Sequence, residues 1–421
     1  MSLFNSGDKA YLMLADGRIF EGVSFGAKGT VYGEVVFSTS MTGYQEALSD
    51  PSSYGQIVAQ TFPLIGNYGV NDEDYESSKL HANGYVVREW CNAPSNFRSK
   101  GNIDDFLKKH GMVGIHSIDT RALTRHIREN GAMNGVITTE NVNEKKEEFL
   151  KKIAEFRIEN AVKNVTCEKT EEFKAENAKY SVVIYDLGCK YSIRNAFLEK
   201  GCNVTVVPAS MSADDIAALD PDGVVVAGGA GDPSEDREVI AQIKKLSEKK
   251  IPMFGLGLGH QVIALAAGGK TEKLKYGHRG ANQPVLDIKY GNTYVTSQNT
   301  GYTVVSGSIS SDMGEITHKN ANEGNCEGIR YNAFPCVTVQ FPPEFCGGPR
   351  VTAYVFDEFA KLMEFVEQET AYLTTPASTR FHLCREQGLL EHSVNVAETM
   401  LKLKDTLAPE ISDESCVITA L

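Results

Sequence analysis

The segment from Ile251 to Gly269 joins a short apolar run to a cluster of glycines. Residues 251–256 have the length of a buried strand, and the small apolar residues 258–267 are typical of a packed helix. The junction is Gly255-Leu256-Gly257-Leu258-Gly259. A sharp strand-to-helix turn needs small residues, because its backbone passes close to neighbouring elements. Turns of this kind hold a Ser or Cys nucleophile at the tip, but the tip here is Gly257, which has no side chain.

The chain before this turn alternates between short apolar runs and helical segments. We predict strands at residues 182–185, 203–207 and 223–227, and helices at residues 191–200, 212–219 and 234–249. Such alternation is typical of βαβ units and indicates a doubly wound, mostly parallel sheet. Ligands bind such sheets at the carboxyl ends of the strands. We therefore expect residues 186–188, residues 228–233 and the turn at Gly257 to share one rim.

The first half of the chain has a β-rich pattern and is predicted to form a separate α+β domain. Residues 11–37 contain strands around a hairpin signal at Ala15-Asp16-Gly17. Helices are predicted from Ile103 to His110 and from Asp119 to Asn130. The predicted organisation is a domain at residues 1–150, a charged linker at 151–179, a second domain at 180–368 and a C-terminal extension at 369–421.

Composition excludes several classes of function. The net charge of -13 opposes binding to nucleic-acid phosphates. No apolar run of membrane-spanning length and no signal-peptide pattern is present, and the nine cysteines form no C-x-x-C pair. These features predict a cytoplasmic protein with reduced thiols, no metal site and no membrane contact. The sequence also lacks a P-loop motif, so we expect no nucleotide cofactor in this chain.

Motifs in both halves occur together and in order. They lie at residues 33–37, 41–46, 50–52, 65–69, 95–98, 119–121, 229–233, 259–261, 277–280, 297–302 and 343–344. In this combination the chain resembles the carbamoyl phosphate synthetase small-subunit family, whose C-terminal half is a triad (class I) glutamine amidotransferase domain. The resemblance covers about residues 8–366.

The resemblance implies glutamine as the substrate and a large subunit as the partner. In the family, a Cys thiolate at the turn attacks the glutamine amide, a His moves protons and a Glu orients that His. Ammonia then passes through a tunnel to the large subunit. That subunit uses ATP, Mg²⁺ and bicarbonate to make carbamoyl phosphate for arginine and pyrimidine synthesis.

The resemblance fails at two members of the triad. The family's Cys position is Gly257, its His position is Pro342, and only the orienting acid, Glu344, is retained. The family's Gly-rich loop also changes, at Gly228 and Ala230. The glutamine pocket is better preserved, and the resemblance implies substrate contacts from Ser52, Gly229, Gly231, Leu258, Gln261, Asn299, Gly301 and Tyr302.

Three functional hypotheses follow from this pattern. The first is a small subunit that has lost glutamine hydrolysis and has a structural or regulatory role in an ammonia-dependent synthetase. The second is a non-catalytic, glutamine-binding regulatory module. The third is a glutaminase with a displaced nucleophile, for which Cys346 is the thiol nearest in sequence to Glu344. For His260 and His278 we predict packing roles rather than catalysis.

Overall fold

The structure is a computed structural model that describes residues 8–344 and 352–374, with side chains described up to residue 364. By its internal contacts the chain separates into Met1–Phe359 and Ala360–Leu421. The barrel, the sheet and the cavity discussed below all belong to the first of these units. Among the described residues, no helix is both long enough and apolar enough to cross a bilayer.

The N-terminal strands form a closed barrel in the order β1-β2-β8-β6-β4-β3-β9. Strands in this region are β1 (Lys9–Leu14), β2 (Ile19–Gly26), β3 (Thr30–Ser38), β4 (Gln56–Gln60), β5 (Leu64–Ile65), β6 (Gly84–Val86), β7 (Glu89–Trp90), β8 (Val113–His116) and β9 (Met133–Thr138). The predicted hairpin is confirmed, since Leu12 pairs with Phe20 across the turn. Strand β9 closes the barrel by pairing with both β1 and β3. Leu12, Val35, Ile57 and Ile137 are fully buried in its core.

Five helices belong to the described part of the first half of the chain, and two of them begin at side-chain caps. The five are α1 (Tyr44–Ser49), α2 (Ile103–Lys109), α3 (Thr120–Asn130), α4 (Lys146–Glu155) and α5 (Ala161–Val165). Asn102 and Asp119 accept backbone N–H groups in the first turns of α2 and α3, as N-cap residues do. Gly131, at a φ of 96°, ends α3. Both predicted helices are therefore confirmed to within a residue.

The second half forms a sheet in the order β10-β12-β11-β13-β14-β19-β18-β16-β15-β17. Its strands are β10 (Glu171–Phe173), β11 (Tyr180–Asp186), β12 (Cys202–Pro208), β13 (Gly223–Ala227), β14 (Met253–Leu256), β15 (Thr271–Asp287), β16 (Thr293–Val304), β17 (Gly314–Asn320), β18 (Cys326–Tyr331) and β19 (Cys336–Val339). Strands β12, β11, β13, β14 and β19 are mutually parallel. Every residue of β13 is buried, as expected for a parallel strand covered on both faces.

Helices of this half are α6 (Tyr191–Glu199), α7 (Ala213–Ala218), α8 (Arg237–Glu248), α9 (Leu258–Ala266) and α10 (Tyr354–Thr374). The predicted mixed α/β fold class is confirmed, with a strand-rich first half followed by a second half in which helices alternate with parallel strands. The sequence did not reveal that the sheet continues beyond β19 as antiparallel strands.

Not all of the predicted divisions follow the observed elements; the boundary at residue 150 falls inside α4. The segment predicted as a linker contains β10, which pairs with β12, because its alternation is too short to be recognised locally. The boundary at residue 369 falls inside α10. Of the predicted C-terminal extension, residues 375–421 lie outside the described residues. The predicted domain divisions remain predictions.

Candidate functional site

The turn between β14 and α9 retains the backbone of an elbow. Gly257 lies at φ 58° and ψ −114°, a conformation that costs a residue with a side chain about 1–3 kcal/mol. A Cβ added at Gly259 would lie 1.9 Å from the carbonyl oxygen of Val226, so that glycine is sterically required. A Cβ at Gly257 would meet only the carbonyl oxygen of Gln340, at 4.0 Å. The elbow therefore has room for a side chain at its tip and has none.

The Gly-rich loop after β13 packs against the start of α9. Gly228, Gly229 and Gly231 have φ values of 74°, 119° and 91°. A Cβ at Gly229 would lie 2.2 Å from a side-chain methyl carbon of Leu258. Glycine is therefore needed here both for its positive φ and for the close approach to the elbow helix. This contact brings the two backbone segments to one side of a cavity.

A cavity of about 490 Å³ opens at the elbow. Its walls contain all of the residues predicted to contact substrate, namely Ser52, Gly229, Gly231, Leu258, Gln261, Asn299, Gly301 and Tyr302. Gly257 and Pro342, the positions of the absent Cys and His, also line it. Glu344 is not among the lining residues. The structure thus brings the predicted pocket together, while the roles of its residues remain predictions.

Gln261 anchors one wall of this cavity. Gln261 is 2% exposed, and the two N–H groups of its Nε2 are shared among three acceptors: Thr300 Oγ1 at 3.1 Å, the carbonyl oxygen of Tyr302 at 2.9 Å and Gln340 Oε1 at 2.8 Å. Such a buried amide is held in one orientation, because each lost partner would leave a desolvated polar group. The amide therefore ties α9 to β16 and to the chain after β19.

The barrel contributes the opposite wall. Ser52 lies in a short 3₁₀ turn, and its N–H donates to the Asp50 carboxylate at 2.8 Å. The neighbouring Ser53 hydroxyl accepts from Asn299 Nδ2 at 3.2 Å. This bond joins the turn to strand β16, on which Asn299, Gly301 and Tyr302 lie. The cavity consequently forms only where the barrel and the sheet meet.

Glu344, the retained acid of the predicted triad, is engaged by a lysine. Lys190 Nζ lies 2.6 Å from Glu344 Oε1, and the Glu344 side chain is 1% exposed. Pro342 occupies the expected position of a proton-accepting histidine and carries no ionisable group. The acid thus forms a buried ion pair where the family's acid orients a base.

The two histidines predicted to pack have buried, satisfied positions. His260 is fully buried, its Nδ1 lies 2.8 Å from Thr338 Oγ1, and burial lowers its pKa to about 3. His278 lies 3.1 Å from Glu323 and 3.6 Å from Glu327. Burial opposes protonation of His278, but the two carboxylates raise its pKa overall. Neither histidine lines the cavity.

None of the described cysteines lies on the cavity wall. Burial raises the pKa of Cys202 to about 11 and that of Cys167 and Cys326 to about 12, so these thiols stay protonated near neutral pH. Cys346 lies outside the described residues. Within the described ranges, no group of three or more His, Cys, Asp or Glu side chains could hold a metal ion.

Family comparisons match both halves of the chain. Residues 12–137 match the model for carbamoyl-phosphate synthase small chain, CPSase domain, and residues 183–362 match glutamine amidotransferase class-I. The small chain of Syntrophotalea carbinolica carbamoyl phosphate synthase is 46% identical over 85% of this chain and 98% of its own length. This chain belongs to the carbamoyl phosphate synthase small-chain family. The small chain of Clostridium perfringens is 45% identical over 84% of this chain and 99% of its own.

Membership of a small-chain family implies a large-chain partner and a place in a carbon–nitrogen ligase. The resemblance drawn from the motifs is thus confirmed at the level of the family. The sequence analysis missed several polar side chains of the cavity wall, among them Asp50, Lys190, Arg279 and Gln340. Asp50 and Arg279 stand inside motifs already noted, at residues 50–52 and 277–280, and could have been found there.

Proposed function

We propose that this chain is a small subunit of carbamoyl phosphate synthase that does not hydrolyse glutamine, within a complex that uses free ammonia. The observation that carries the proposal is the elbow tip. Gly257 has the elbow backbone but no nucleophile, and Pro342 stands where the base is expected.

Amide hydrolysis of the family type needs both missing groups. A thiolate must form the bond to the glutamine carbonyl carbon, and a base must take the thiol proton and return it to the leaving ammonia. Loss of the nucleophile or the base of a triad alone typically lowers kcat by about 10⁶-fold, and a residual 10³–10⁴-fold over water comes from binding and the oxyanion site. The elbow N–H groups and the Gly-rich loop, which differs from the family at Gly228 and Ala230, therefore do not compensate for the missing thiol and base.

The surroundings of Glu344 support the same conclusion. In a working triad the acid accepts a hydrogen bond from the base and fixes its orientation. Here Glu344 is 2.6 Å from Lys190, and the pair is almost inaccessible to water. Lys190 compensates the charge of this buried acid, and Glu344 Oε2 has no hydrogen-bond partner among the described residues.

The remaining architecture suits a structural or regulatory subunit. In this proposal ATP, Mg²⁺ and bicarbonate are bound by the large chain, and this chain covers and regulates that partner. The product, carbamoyl phosphate, would supply arginine and pyrimidine synthesis.

The preserved cavity favours a second candidate function, that of a glutamine-binding regulatory module. All predicted substrate-binding residues still line one cavity, although no described cysteine lies on its wall. A displaced nucleophile has less support, because the described thiols lie away from the cavity.

The deciding experiment measures carbamoyl phosphate formation by this chain mixed with its large-chain partner. Glutamine and ammonium are compared as nitrogen donors, with ATP and bicarbonate present throughout. We expect synthesis with ammonium only. Synthesis with glutamine at a comparable rate would overturn the proposal and favour the displaced nucleophile, with Cys346→Ser as the next variant.

The same assay distinguishes the second candidate function, a glutamine-binding regulatory module, from the first. Glutamine added to the ammonium reaction should change its rate if the cavity is a regulatory site. If this chain forms no complex with the large chain and does not alter its activity, a stand-alone binding module becomes the better description.

A further inference from the structure

Arg279 is a buried cation in the cavity wall whose hydrogen bonds are incompletely satisfied. Its side chain is 5% exposed, and its Nη1 donates to the carbonyl oxygen of Tyr276 at 2.9 Å. Among the described residues, its Nε has no acceptor. The nearest carboxylate oxygen to its Nη2 belongs to Glu34, at 4.0 Å, which is beyond hydrogen-bond distance.

Glu34 is already paired with another cation. Lys273 Nζ lies 2.5 Å from Glu34 Oε1, and the Lys273 side chain is 51% exposed, so water also stabilises its charge. Arg279 has no such access to water. Burial lowers the pKa of Arg279, and Glu34 only partly opposes that effect. A guanidinium in this position is stabilised by a further anion.

The guanidinium lies beside residues already assigned to the pocket. Arg279 on β15 is directly paired with Asn299 on β16. A Cβ added at Gly301 would lie 3.1 Å from Arg279 Nη2, and one at Gly277 would lie 1.8 Å from Nη1. The missing side chains at these two glycines therefore make the space that the guanidinium fills. Asn299, Gly301 and Arg279 all line the same cavity.

We propose that Arg279 recognises a carboxylate of the ligand, so that the cavity selects an amino acid with a free α-carboxylate and binds it without turnover. This inference rests on the proposed function, in which the pocket is retained although hydrolysis is lost. A guanidinium suits the role because its planar N–H groups match the two oxygens of a carboxylate and remain charged. The alternative is that Arg279 only neutralises Glu34 across the junction between barrel and sheet.

The test is a binding cycle by isothermal titration calorimetry on the full chain. L-Glutamine is compared with L-glutamine α-amide, in which the α-carboxylate is replaced by a neutral carboxamide. For the wild-type chain we expect the amide to bind about 10- to 100-fold more weakly, the range typical of losing a charge-assisted hydrogen bond. In Arg279→Gln the two ligands should bind within about 3-fold of each other, because the coupled partner is gone.

Two further variants keep the result interpretable. Arg279→Lys retains the charge and should keep part of the preference for the free acid. Lys9→Gln is the control, since it removes a barrel cation that pairs with Glu21 and does not line the cavity, and it should leave the ligand preference within about 2-fold of wild type. Thermal melting of each variant checks that it is folded.

A structural role alone predicts a different pattern, in which Arg279→Gln lowers the melting temperature and leaves the ratio of the two affinities unchanged. That result would overturn the proposal, and so would a wild-type chain that binds neither ligand. Glutamate release is measured in the same samples. Release would contradict the absence of hydrolysis, while the ratio of affinities would still report on Arg279.

Discussion

The ligand-holding wall and the reacting end of the cavity are built in different ways. The Nε2 of the buried Gln261 side chain contacts three acceptors that join α9, β16 and the chain after β19. At the reacting end, the nearest contact of a Cβ on Gly257 beyond its own chain neighbours would be the carbonyl oxygen of Gln340, at 4.0 Å, and Pro342 carries no ionisable group. Side chains of the wall therefore make contacts that stabilise the fold. A nucleophile at the tip would make few such contacts and would contribute little to stability. Catalysis can therefore be lost here while the pocket persists.

Restoring the reacting end is the strongest test of this contrast. Gly257→Cys alone should give no measurable glutamine hydrolysis, because Pro342 leaves no base. Gly257→Cys combined with Pro342→His should exceed the single variant by about 10²–10⁴-fold, the usual contribution of a positioned base. The measurement is glutamate release under saturating glutamine. Turnover by Gly257→Cys alone would contradict the statement that no base is left to accept the thiol proton.

Separate substitutions of two elbow glycines compare Gly259, which packs against the backbone of Val226, with Gly257 at the tip. In Gly259→Ala the new methyl group would lie 1.9 Å from a backbone oxygen, so we expect a loss of about 4 kcal/mol in the free energy of unfolding. Gly257→Ala is the control and should lose only about 1–2 kcal/mol, from backbone strain. Urea unfolding monitored by circular dichroism measures both. Equal losses would mean that position 257 is as sterically constrained as position 259.

The ion pair between Lys190 and Glu344 should contribute to the free energy of unfolding. Lys190→Met leaves the Glu344 carboxylate buried without its cation, and we expect a loss of about 3 kcal/mol. Adding Glu344→Gln to that variant should recover much of the loss, since no charge then remains to be compensated. Denaturant unfolding of both single variants and the double variant gives the coupling energy. A coupling near zero would show that other groups stabilise Glu344.

His260, on the elbow helix α9, should make the free energy of unfolding depend on pH. Its pKa is about 3 in the folded chain and near 6.5 when unfolded, so the unfolded chain binds more protons between these values. The contribution of His260 is present above pH 6.5 and is lost as the pH falls toward 3. From pH 6.5 to pH 5 this amounts to about 2 kcal/mol.

The matched variant is His260→Gln, compared with wild type by thermal and urea unfolding at each pH. Carboxylates that titrate in both proteins cancel in this comparison. The variant should be less stable at pH 7, but its stability should decline less between pH 6.5 and pH 5. Parallel curves would indicate that His260 is protonated in the folded chain.

Local signals predicted much of the fold. The caps Asn102 and Asp119 located two helices, and the continuous apolar runs of β11 and β13 located the centre of the parallel sheet. The antiparallel strands were missed because β15 mixes Lys, Gly and polar residues and has no sustained alternation. Its pairing with β16 also contains register shifts, which a period-two pattern cannot represent.

The candidate site was predictable where motifs define it and unpredictable where tertiary contacts do. Ser52 and Asn299 were placed from their motifs, and both line the cavity. The pairing of Lys190 with Glu344 joins segments far apart in the chain, and no local pattern reports it. Arg279 stands inside a noted motif, but its importance comes from burial, which composition does not show.

The open elbow tip also has a genetic consequence. Glycine codons GGU and GGC become cysteine codons by one base change, and proline codons CCU and CCC become histidine codons in the same way. Because the Gly257 backbone already holds the elbow conformation and has space for a Cβ, the first change requires no movement of the fold. Genes for such a chain therefore remain a short mutational distance from regaining both catalytic side chains. Growth selection with glutamine as the nitrogen donor is a direct way to look for that reversion.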